Sequence, residues 1–176
     1  MGVLRFNYHS EVLGMYTDIT VTYPTGKYTY NTTCPSENQM GEPGKLRKCY
    51  QPGMKLPTVY LMHGGGDDDT TFQRMSRVEF YAEQNNVMTV TPQVKDSFFL
   101  DTKYGIRYFT YITEELPVLI RSLFASSPER EDNFVVGMAM GGNGALEVSM
   151  RRPDLYAACV DPVSYTHLRA HETLRH

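Results

Sequence analysis

The chain has 176 residues, a length that allows one domain. Apolar residues make up 41% and charged residues 21%, which excludes a disordered chain. A net charge of −3 argues against nucleic acid or an anionic membrane as the main partner, and no apolar run approaches the ~18 residues of a membrane span.

The first residues, Met1-Gly-Val-Leu-Arg-Phe, lack the basic stretch and apolar core of a signal peptide. Residues 3–8 alternate with period two, as a half-buried strand does. Residues 16–23 do the same and are rich in β-branched side chains. A turn at Ser10–Gly14 joins them, so the two strands should pair antiparallel. From Pro24 to Pro57 the composition shifts to Gly, Pro, Asn, Ser and Lys, a long loop. Cys34 and Cys49 lie inside it. With Cys159 they make an odd count without a CxxC pair, which suits a reducing compartment. The expectation is a cytoplasmic protein without metal or other cofactor.

Residues 58–63 form a short apolar run, the mark of a strand buried on both faces. Thr70 should cap a helix over 71–85, with Phe72, Met75, Val78 and Ala82 at helical spacing. Asp67, Asp68 and Asp69 just before it suit a helix start better than a calcium site. Residues 87–92 are the next buried strand, and 93–107 a polar and aromatic loop. A helix is predicted over 110–124, with Pro117 kinking it or marking a late start. Residues 133–137 are a third buried strand, 143–151 a helix and 156–160 a fourth buried strand. Strands alternating with helices predict an α/β fold: a mostly parallel sheet with helices on both faces.

Two glycine turns carry the chemistry. Gly137-Met-Ala-Met-Gly141-Gly142 lies between a buried strand and a helix. A G-x-S-x-G nucleophile elbow occupies that place in an α/β-hydrolase. Here the central residue is Ala139, so the side chain that would attack an acyl carbonyl is absent. A dinucleotide fingerprint fails, because Glu147 stands where a third glycine is needed, and no Gly-Lys-Ser/Thr makes a Walker loop. The second turn is His63-Gly-Gly-Gly66, after an earlier strand. Hydrolases place a second oxyanion N–H there. The order of the two turns favours a hydrolase scaffold. His63, which precedes the elbow, fits a turn residue better than a general base.

The segments Asp96-Ser-Phe-Phe-Leu-Asp-Thr-Lys-Tyr-Gly105, Tyr108–Pro117, Arg130–Phe134 and Gly137–Leu146 resemble the esterase family of α/β-hydrolases. The likeness is closest to its tributyrin-esterase branch, beside S-formylglutathione hydrolases and feruloyl esterases. It runs from about residue 3 to about 161, with 31–57 as an inserted loop. The resemblance implies an α/β-hydrolase fold and a Ser-His-Asp carboxylic-ester hydrolase acting on short acyl or feruloyl-type esters. It places Ala139 at the nucleophile position and assigns the oxyanion N–H groups to Gly65 and Met140. His63 and Tyr104, with the 96–105 loop, would border the substrate pocket. The acid and the histidine of this family lie well after the elbow; Asp161 comes too soon and is left unassigned.

Residues 163–176 do not fit the family and resemble the in-frame translation of a transposase-type sequencing adapter. His167 and His171, spaced i,i+4, are the competing metal-site reading there. The expected organisation is therefore residues 1–162 as the N-terminal portion of one hydrolase domain, its C-terminal part missing, followed by a non-native tail. A chain so built would be inactive as an esterase. The alternative is a non-catalytic binding module that keeps the pocket for a small-molecule ester.

Overall fold

The computed structural model describes residues 1–25 and 53–163. Cys34, Cys49, most of the inserted loop, and His167 and His171 of the tail lie outside the described residues.

β1 (Gly2–Ser10) and β2 (Met15–Tyr23) form an antiparallel hairpin in continuous register, from Gly2 opposite Tyr23 to Ser10 opposite Met15. Gly14 takes φ +66 at the turn, a conformation glycine adopts without a Cβ penalty. β3 (Thr58–Met62), β4 (Met88–Pro92), β5 (Asn133–Met138) and β6 (Ala158–Val163) complete a six-stranded sheet in the order β1-β2-β4-β3-β5-β6. β3 pairs parallel with both β4 and β5, and β5 pairs parallel with β6; β2 meets β4 antiparallel. The central strands are therefore parallel, as their unbroken apolar runs predict.

Helices cover both faces. α1 (Thr71–Met75) and α2 (Val78–Asn85) pack over Val59, Leu61 and Val136, leaving an apolar groove of about 500 Å³. On the other face Tyr60, Met62, Val90 and Val135 join the core with residues of α3 (Leu116–Leu123) and α4 (Met140–Arg151). From these helices Leu116, Ile120, Ala145 and Val148 are fully buried.

Two predicted helices are corrected here, with the roles given to Thr70 and to the aspartates before it. The helix expected over 71–85 is two helices, because Ser76 turns extended (φ −140) and its Oγ donates to Phe72 O at 2.6 Å. Thr70 makes no side-chain cap. Asp68 Oδ1 instead accepts from both Thr70 N (2.8 Å) and Thr70 Oγ1 (2.7 Å), an Asx-type turn. These bonds hold the Asp68 carboxyl below its usual range. Asp69 leaves the helix start altogether. It is buried on the hairpin, accepting from Arg5 Nε and Nη2 at 2.8 Å each and from Thr20 Oγ1 at 2.7 Å. The helix expected over 110–124 begins at Tyr108, passes through a π-helical turn at Tyr111–Glu115, and continues as α3 with Pro117 in its first turn. The π turn just before it, where Leu116 N–H donates to Tyr111 O, shifts the hydrogen-bond ladder at the point where Pro117 cannot donate.

Four tyrosines anchor the core side of the sheet. Burial pushes the Tyr8 and Tyr60 hydroxyls up to about 12, and those of Tyr111 and Tyr156 well above the ordinary value. The unfolded chain ionises its tyrosines near pH 10. Their contribution to stability is thus complete below pH ~10 and is lost as pH rises toward ~12. Urea unfolding midpoints should hold up to about pH 10 and fall steeply from there toward about pH 12, the window set by those two values. Midpoints flat over that range would contradict the burial.

Candidate active site

The two glycine turns leave the ends of adjacent parallel strands, β3 and β5, so the sheet itself brings them together. At the end of β5 the backbone reverses at Ala139, with φ 54 and ψ −115. That region is open to glycine and strained for alanine. The turn closes because its glycines permit backbone contact. A Cβ on Gly137 would lie 1.9 Å from Gly141 O, and one on Gly141 would lie 1.9 Å from Met62 O. These distances explain why α4 starts at Met140 rather than at the expected residue 143: glycines weak in helix propensity are required there by close approach to β3. The Ala139 carbonyl accepts from Gly142 N (3.0 Å) and Asn143 N (3.3 Å), which begins the helix. Met140 itself is buried.

The second turn lies directly beside the first. A Cβ on Gly64 would be 3.6 Å from the Ala139 Cβ. His63 is completely buried. Its Nε2 accepts from Val94 N (3.0 Å), so the ring proton is on Nδ1, which donates to Gly64 O (2.7 Å). Gly64 C=O and Gly65 N–H belong to one planar peptide unit. A bond to that carbonyl therefore turns the Gly65 N–H away from the imidazole. His63 faces backbone on both ring nitrogens, a turn-holding arrangement.

The segment after β4 is tied to the glycine turn at two further points: Asp69 N donates to Gln93 Oε1 (2.9 Å) and Gly66 N to Asp96 Oδ1 (2.7 Å). Phe98 and Phe99 follow with φ 53 and 59, uncommon for bulky side chains. Phe99 is buried against Gly144 of α4, where a Cβ would come within 2.4 Å of its ring, and it lies edge-on to His63. These contacts were not legible in the sequence, which shows only a polar and aromatic loop. Tyr104, expected to border the pocket, is 90% exposed, and Lys103 Nζ lies over its ring at 5.2 Å.

Asp161, left without a role by the sequence, sits in β6 where the pairing with β5 slips between Val136 and Met138. Its carboxylate lies where a Gly142 Cβ would be, 2.2 Å from that position, and its buried Oδ1 has no donor among the described residues. Nor do the described residues contain a cluster of three or more His, Cys, Asp or Glu suited to a metal ion.

A strand-turn-helix elbow beside a His-Gly turn, on a sheet of this order, defines an α/β-hydrolase. The family model described as "Putative esterase" matches residues 38–165, most of the chain. The chain belongs to that esterase family. It is 27% identical over 154 residues to an acetyl esterase of Caldicellulosiruptor saccharolyticus, a match covering 86% of this chain and 52% of that protein. Among solved structures it is similar to FphF, a fluorophosphonate-binding serine hydrolase of Staphylococcus aureus, with TM-score 0.72 and 28% identity over 90% of this chain and 55% of that one. It is likewise similar to the S-formylglutathione hydrolase FrmB of the same organism, with TM-score 0.67 and 28% identity, covering 89% of this chain and 54% of that one. The chain thus spans about half the length of the relatives it matches. No helix among the described residues is long and apolar enough to cross a membrane.

Proposed function

We propose that the two glycine turns form the acyl-carbonyl site of a carboxylic-ester hydrolase, and that this chain binds short acyl or feruloyl-type esters without serine-dependent turnover. The observation that carries the reading is the strained Ala139 backbone lying against Gly64. An L-residue is kept in such a conformation only where the surroundings over-determine it, and such positions cluster at functional sites. In the proposed site the Gly65 and Met140 N–H groups hold the ester carbonyl oxygen. In a serine esterase the nucleophile Oγ attacks the carbonyl carbon, its proton passing to histidine, while these donors stabilise the oxyanion. Ala139 presents a methyl group, which can accept the acyl chain beside it but cannot form the acyl-enzyme.

The second reading is a binding module whose function is ester binding itself rather than an inactive portion of an ester hydrolase, favoured by that same alanine. Both readings take small-molecule esters as ligands, need no cofactor and place the protein in the cytoplasm. Titration of the 15N-labelled chain with ethyl butyrate is expected to give saturable shifts of the Gly65 and Met140 amides, with no acid released. Linear, unsaturated shifts, or shifts confined to the groove lined by Val59 and Tyr81, would refute the site.

A further inference from the structure

We propose that Asp96 is a positioning residue for the carbonyl site: its carboxylate fixes the Gly65–Gly66 peptide and so holds the Gly65 N–H in its binding direction. This rests on the ester-site reading above and adds a residue to it.

Gly65 has no Cβ, and its own sterics leave φ and ψ nearly free. Its conformation must be set by what grips the peptide planes on either side. The plane before it is held by His63 Nδ1–H on Gly64 O at 2.7 Å. The plane after it is held by Asp96 Oδ1, which accepts from Gly66 N at 2.7 Å. Because each amide is planar, one bond at either end orients the whole unit. With both planes pinned, the two torsions of Gly65 are pinned as well. The Gly66 φ of +75 shows the turn to be in a conformation that glycine alone adopts readily. The bond from Gly66 to the exposed Asp96 carboxylate is charge-assisted and short.

Asp96 does not reach the turn by chance geometry of a free loop. Upstream, Val94 N is bonded to His63 and the Gln93 side chain to Asp69 N. Downstream, Phe99 is buried against Gly144 and the His63 ring. Between these anchors the chain accepts two consecutive left-handed residues, Phe98 and Phe99. Segment 93–99 therefore braces the glycine turn against the elbow helix α4. Asp96 is the part of the brace that touches the turn beside Gly65, within 3.4 Å of a Cβ at that position.

The test compares Asp96→Ala and Asp96→Asn in the full chain, with ethyl butyrate as the probe. Asp96→Ala is expected to weaken ester binding about tenfold, to move the Gly66 amide proton upfield and to speed its exchange. Asp96→Asn keeps the Oδ1 acceptor and should bind within about threefold of the parent. A purely structural role for Asp96 would lower the melting temperature without the affinity change and without rescue by asparagine. Parent-like affinity in Asp96→Ala, or equal loss in both variants, overturns the proposal. Failure of the underlying site reading shows separately, in the unsubstituted chain, as no saturable shift at Gly65 and Met140. The Gly66 exchange then decides: faster in Asp96→Ala and restored by asparagine supports the clamp, unchanged overturns it.

Discussion

Gly141→Ala is expected to abolish cooperative folding, or to cost more than about 4 kcal/mol, the range reserved for a few severe mechanisms. The added Cβ would sit 1.9 Å from Met62 O, 2.4 Å from Met62 C and 2.6 Å from His63 O. All three are backbone atoms of β3 or of the residue that leaves it, so no rotamer change relieves them. Relief requires α4 to move off the sheet, and that helix carries Ala145 and Val148 into the core. Overpacking by a methylene typically costs 1–3 kcal/mol when side chains can shift; contact with fixed backbone is worse. Gly14→Ala is the control. Gly14 has a positive φ of +66 but nothing within 4 Å of its Cβ position, so it pays only the left-handed penalty of about 1–2 kcal/mol. Urea unfolding midpoints of the two variants separate crowding from torsion. A Gly141→Ala midpoint equal to that of Gly14→Ala would mean that the elbow and β3 are not in contact.

How far the sequence reached can be seen at particular residues. The buried strands were legible because runs such as Thr58–Met62 and Asn133–Gly137 carry their own signal, and the order of the two glycine turns fixed the fold class. Helix ends were less legible. Gly141, Gly142 and Gly144 oppose a helix by propensity, yet α4 begins at Met140, since close approach to Met62 and Phe99 outweighs about 1 kcal/mol per glycine. The Asp67–Asp69 run reads as one cluster in sequence, but its members separate: Asp68 closes a local turn and Asp69 crosses to Arg5, 64 positions away. The turns themselves point to Ala139 as the centre of the elbow, whereas the roles of Gly65, Met140 and His63 come from the family resemblance, because a backbone N–H leaves no mark in a sequence. Asp96 was not singled out, because its partner Gly66 is 30 positions distant and no periodicity links them.

Ala139→Ser in this chain is expected to leave hydrolysis of p-nitrophenyl butyrate within about tenfold of the unsubstituted protein, without a burst. Losing a member of a Ser-His-Asp triad leaves only the residual catalysis of the oxyanion donors and binding, and the members act as a unit. Neither described histidine can act as the base. His9 is on β1, and in the order β1-β2-β4-β3-β5 it stands four strand spacings from the elbow, about 19 Å at ~4.8 Å each. Its ring packs against Tyr16. His63 is near, but its Nε2 already accepts from Val94 N and its Nδ1 donates to Gly64 O. To take a serine proton on Nε2 it would have to release the Val94 N–H, leaving a buried donor unsatisfied at a cost of about 1–3 kcal/mol. Among the described residues no carboxylate is bonded to either of its nitrogens to orient a charged ring. Stopped-flow release of p-nitrophenol reads the outcome. One equivalent released in a burst would overturn this expectation, and the double variant Ala139→Ser, His63→Gln would then show whether His63 supplied the base: the burst would vanish if it did and persist if the proton went elsewhere.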